Sequence, residues 1–179
     1  MIQLLSFDIG IKNMAYCYAI IDNEKLDIKS LNKVDLNCKK NDIQNIIDNT
    51  IEFLDTIMNE LNINYDEKTI VLIECQMTSI MKCIQTTINT YFKMTSKYLN
   101  ADVETHYVSP KHKLKIINKH SEKIVNDKYK QNKIDAVFFA THLLETTYKN
   151  EEILNYVKSL KKKDDVCDAL LMCIYYFEK

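Results

Sequence analysis

The chain has 179 residues, 46% of them hydrophobic, and a formal net charge of −1. That length suits one domain, residues 1–179, with a full core. No run approaches the ~18 apolar residues of a membrane span, the start has no signal-peptide pattern, and the near-neutral charge selects no partner by itself. There are six cysteines but no CxxC pair or zinc spacing, and all 24 basic residues are lysine. The cysteines sit mostly in apolar runs, which reads as a reducing, intracellular setting. With no arginine there is no guanidinium fork to read guanine edges, so any nucleic acid would be recognised by backbone and shape.

Residues 2–8 (IQLLSFD) predict a buried strand ending on Asp8. Residues 14–22 and 26–36 predict two more strands, the first two joined closely enough for an antiparallel hairpin. Ile43, Ile46, Ile47, Ile51, Leu54, Ile57 and Leu61 then recur at helical spacing. Residues 69–75 (TIVLIEC) predict an apolar strand carrying Glu74 at its end. Residues 78–98 predict a long helix, with Ile80, Met81, Ile84, Ile88, Tyr91 and Met94 on its core side. A last strand is expected at 102–108. Pro110 suits the first turn of a helix, followed by a lysine-rich helical region to about residue 148. Helices at 151–160 and 164–178 complete the chain. Three strands in a meander, then alternation with helices, predict an α/β fold with a mixed sheet flanked by helices.

A charge at the end of an apolar strand needs a reason, because burying it is costly. The chain does this at Asp8 and at Glu74. A third station is DDVCDAL, where Asp165 and Asp168 lie three apart and share a helix face. Strand-end carboxylates with a helical pair suit divalent cations that take oxygen ligands together with substrate phosphate. A strand-end aspartate also serves turns, and Asp164 and Asp165 also serve as helix-start residues. It is the joint occurrence, on this order of elements, that points to phosphoryl-transfer chemistry.

FDIG near the start, IECQ at the fourth strand and DDVCDAL at the last helix resemble the RuvC-type Holliday-junction resolvases of the ribonuclease H-like superfamily, poxvirus branch. The resemblance covers essentially the whole chain. It implies a ribonuclease H-like five-stranded mixed sheet and a homodimeric, Mg²⁺-dependent endonuclease that cuts four-way junctions, using two ions per site, with Mn²⁺ as a substitute. By position, Asp8, Glu74, Asp165 and Asp168 match the family's metal-binding acids. The family's catalytic lysine falls within SPKHKLKII. Lys115 fits the apolar-Lys pattern best, with Lys113 and Lys111 as alternatives. Lys133 resembles a second family lysine. The resemblance further implies a viral enzyme acting in host cytoplasm or virion on branched, concatemeric genomes. The alternative within this class is a ribonuclease H acting on RNA–DNA hybrids.

Gly10 is the chain's single glycine. It follows the first aspartate, where freedom at positive φ or the lack of a Cβ would let phosphate approach. Lys12 and Asn13 in the same turn are candidate phosphate contacts. Between Lys111 and Lys133 there are eight lysines against Glu122 and Asp127, the asymmetry expected of a DNA-binding surface. Aromatic residues near strand ends are candidates for base stacking, with none singled out. An actin-like kinase shares the FDIG turn but needs further glycine-rich loops. A binding module that had lost catalysis would lack one of the acids.

Overall fold

The structure, a computed structural model, describes residues 1–179. The strands are β1 (Ile2–Asp8), β2 (Met14–Asp22), β3 (Lys25–Val34), β4 (Lys68–Glu74) and β5 (Val103–Val108). The helices are α1 (Ile43–Glu60), α2 (Ser79–Leu99), α3 (Lys128–Thr146), α4 (Glu151–Ser159) and α5 (Asp164–Phe177). The strands form one five-stranded sheet in the order β3-β2-β1-β4-β5. β1 and β2 are antiparallel, as are β2 and β3, whereas β1, β4 and β5 run parallel. This is the mixed α/β sheet the element order predicts.

Period-two alternation sorts each strand's side chains onto two faces. Leu4, Ile70 and Leu72 pack with Cys17 and Ala19 against Phe139 and Leu144 of α3, Val157 of α4 and Leu170 of α5. Leu5, Phe7, Val71 and Ile73 pack on the other face against Ile46 and Leu54 of α1 and Ile84, Ile88 and Phe92 of α2. Both sheet faces are thus covered, which suits the mainly apolar sequences of the central strands β1 and β4.

Two expectations change. The predicted lysine-rich helix from Pro110 onward is instead a 3-10 turn at Lys113–Lys115, irregular chain to Asp127, and then α3. The segment NKHSEKIVND has no apolar stripe to bury, so it has little to hold a helix on. The core side of α2 is Ile84, Ile88 and Phe92, with Ile80, Met81 and Tyr91 packed beside them as expected, whereas Met94 is exposed.

The turn after β1 explains the lone glycine, but not through its dihedral. Gly10 has no positive φ; the residues that do are Asn23, Glu24, Asn37, Asn62, Asn100 and Lys149. Asparagine, which tolerates that region, mostly fills the role glycine usually takes. A Cβ on Gly10 would stand 3.0 Å from the Asn13 carbonyl oxygen and 3.2 Å from its carbon. Close backbone approach is what excludes a side chain there.

Candidate active site

Three chain segments converge because of strand direction. β1 and β4 are parallel neighbours, with Phe7 opposite Ile73, so Asp8 and Glu74 both stand at the same edge of the sheet. Alternation turns both toward the face covered by α5. α5 packs across β1 and β2, and Ser6 Oγ donates to the Ala169 carbonyl at 2.6 Å. That bond sits one residue past Asp168 and fixes the helix beside the strand ends. The three segments frame a cavity of about 1070 Å³ lined by Asp8, Glu74, Asp165 and Asp168 together with Gly10, Lys12 and Asn13.

An ammonium occupies the middle of this set. Lys113 Nζ lies 2.8 Å from Glu74 Oε1 and 2.6 Å from Asp168 Oδ2, with its side chain only 8% exposed. Gln76 Nε2 donates to the other Glu74 oxygen at 2.9 Å. Burial, then the charge and hydrogen bond of Glu74, push the Asp8 carboxyl well above its usual range. Burial also raises Asp168, though Lys113 opposes it. For Lys113 burial works against the charge, but Asp168, Glu74 and Asp8 outweigh it and raise its pKa. Two further lysines hold the start of α5. Lys162 Nζ is 2.7 Å from both oxygens of Asp165, and Lys133 pairs with Asp164.

The four carboxylates suit a hard divalent cation, and no histidine lines the cavity. They do not form a ready-made three-ligand cluster. Asp8 and Asp168, raised by burial and then by neighbouring carboxylates, would nonetheless gain from a cation, and Lys113 supplies only one positive charge between them. Asp8, Glu74, Asp165 and Asp168 are the residues that would hold the metal.

A fowlpox virus resolvase, solved with its Holliday junction DNA substrate, is 20% identical and superposes at a TM-score of 0.65 over 98% of this chain and 97% of that one. RuvC of Thermus thermophilus is 10% identical at a TM-score of 0.53, over 98% of this chain and 95% of that one. The fold is that of the RuvC-type resolvases. An uncharacterized protein of Acanthamoeba polyphaga mimivirus is 34% identical over 112 residues, which is 55% of this chain; the chain spans 25% of the length of that relative. No family model matches the sequence.

On this RuvC-type fold the lysines separate clearly. Lys115, the sequence's first choice for the catalytic lysine, is exposed and lies outside the cavity; Lys113 is the one that reaches the acids. Lys111 and Lys133 line the cavity, as does Lys162. Lys39 and Lys40, in the β3–α1 connection, also line it and escape the sequence reading. Nothing in NCKKN marks that connection as folding over the site.

Proposed function

We propose that this chain is a metal-dependent structure-specific endonuclease that cuts four-way DNA junctions and other branched DNA. The observation that carries the reading is the convergence of Asp8, Glu74, Asp165 and Asp168 on one lysine-edged cavity of a RuvC-type fold. Mg²⁺, or Mn²⁺ in its place, would be held by these acids and would supply an activated water and charge neutralisation for phosphodiester hydrolysis. Lys113, buried against Glu74 and Asp168, opposes the rise that burial imposes on Asp8 and Asp168 and offers a cation toward the charge that develops on the phosphate. Lys12, Lys111, Lys133 and Asn13 contact flanking phosphates. Gly10 lets the backbone of the β1–β2 turn come close to the substrate, and Gln76 orients Glu74.

The unit that acts is a single domain, residues 1–179, working as a homodimer that makes paired cuts. Ile51 and Met94 are exposed beside one groove between α1 and α2, which suits a second copy. The resemblance to a fowlpox virus enzyme and the mimivirus relative support a role in processing branched viral genomes in host cytoplasm or virion. No helix is long and apolar enough to cross a membrane.

The test is cleavage of a labelled synthetic junction in Mg²⁺ beside duplex DNA and an RNA–DNA hybrid. Paired symmetric nicks in the junction, lost in Asp168→Asn while binding persists, support the proposal. Cleavage of the hybrid alone would move the protein to ribonuclease H chemistry.

A further inference from the structure

Most large apolar side chains that reach solvent lie away from the cavity; Met77 and Tyr129 are the exposed ones that line it. Tyr129 is the only one of the two with a π-face, and it is 67% exposed. Its placement is fixed from two sides. Asp127 caps α3 by accepting from the Tyr129 N–H at 2.9 Å and the Lys130 N–H at 3.2 Å, which sets the backbone. Lys133 Nζ lies 5.1 Å from the ring centroid, and the same ammonium is tied to Asp164 at the start of α5. The ring therefore rests on a cation that is itself anchored, a geometry that favours the aromatic face. Holding an exposed tyrosine this way lowers the ordering cost of whatever it meets.

We propose that Tyr129 is a base-stacking residue that receives an unstacked nucleobase beside the phosphate that is cut. This rests on the nuclease reading above. The lysines of the cavity rim answer for phosphate, so a planar apolar surface among them calls for a different part of the nucleotide. In continuous duplex the base faces are closed by their neighbours. At a branch point, strands exchange and a base face becomes available, so a stacking tyrosine at the cavity would favour branched over linear DNA. Stacking is tolerant of base identity, which fits a chain with no arginine to read base edges.

The test compares Tyr129→Phe with Tyr129→Leu on a junction and on the same junction with single abasic sites placed around the branch point. Binding is read by fluorescence anisotropy with Ca²⁺ in place of Mg²⁺, and cleavage is read in Mg²⁺. Stacking predicts that Phe matches wild type, while Leu weakens junction binding about tenfold. It also predicts that one abasic position costs wild type the same factor and costs the Leu variant nothing more. Equal losses for Phe and Leu would assign the hydroxyl, not the ring, and overturn the proposal. No loss for Leu would overturn it as well. The two readings fail separately. A wild type that binds with this abasic signature but cuts nothing refutes the nuclease and keeps the stacking. A wild type that cuts junctions without any effect of Leu refutes the stacking alone.

Discussion

At the scale of single residues, Lys113 holds the most charge in balance. Its ammonium is buried between Glu74 and Asp168, with Asp8 close enough to act on it. Replacing it by methionine keeps much of the volume and removes the charge. Removing one partner of a buried pair leaves the others uncompensated, and costs of about 3–5 kcal/mol are usual. Lys113→Met should therefore lower the melting temperature, and Mg²⁺ should restore part of it, because a cation among these acids replaces the missing charge. Thermal melts with and without Mg²⁺ check this; a loss that Mg²⁺ leaves untouched would mean the lysine acts by packing alone. Lys162 makes the opposite case at the rim, where it is bidentate on Asp165. Lys162→Gln frees that carboxylate, so Mn²⁺ binding followed by electron paramagnetic resonance should tighten. The acids were legible in the sequence because a strand-end charge is expensive unless it is used. The lysine was not. The apolar-Lys pattern favours Lys115, flanked by Leu114 and Ile116, over Lys113, which follows His112, and the choice in fact depends on which way a short turn faces.

At the scale of elements, that turn is a 3-10 helix, and the irregular segment after it is where sequence reading failed. At about 120° per residue, side chains two apart in a 3-10 turn diverge widely, so Lys113 faces the site and Lys115 faces solvent. The strands and the other helices were legible almost to the residue, because they alternate or recur to match a buried face. Ile116 and Ile117 pack on the core, but residues 118–127 lack such a face and are held by polar bonds that no periodicity announces. Asp135 of α3 is the main anchor. It accepts from the Ser121 N–H at 2.9 Å and from Gln131 Nε2 at 3.0 Å, and it faces His120 Nδ1 at 3.0 Å. Burial pushes the Asp135 carboxyl up, but these partners outweigh it and hold it below its ordinary value. A depressed carboxylate contributes stability above its unfolded pKa of about 3.9 and loses it as pH falls through the lower folded value. Asp135→Asn should remove that contribution at neutral pH. Hydrogen exchange should accelerate across residues 116–127 while β1 and β4 stay protected. Uniform acceleration through the sheet would show that Asp135 supports the whole fold instead.

At the scale of the whole molecule, the charge distribution matters more than the total. The net charge of −1 conceals a cavity lined by Lys12, Lys39, Lys40, Lys111, Lys113, Lys133 and Lys162 against four carboxylates. These lysines come from five separate parts of the chain, and only the sheet topology brings them to one edge. Composition could not show this, and the count of lysines between 111 and 133 showed only part of it. Lys113 answers to the buried acids and Lys133 and Lys162 to Asp164 and Asp165, which leaves Lys12, Lys39, Lys40 and Lys111 unpaired for the substrate backbone. Each lysine that neutralises a phosphate releases counterions, and on duplex arms this steepens the fall of log K with log[salt] by about 0.9. Lys39 and Lys40 come from the β3–α1 connection and have no carboxylate partner. The double substitution Lys39→Gln, Lys40→Gln should therefore weaken junction binding and reduce the salt slope by about 1–2, according to how many of the two touch phosphate. Single-turnover cleavage at saturating enzyme should change little, since neither residue reaches the acids. A drop in the cleavage rate with an unchanged slope would place these lysines in the chemistry rather than in docking. The two measurements together separate what the rim does from what the strand ends do.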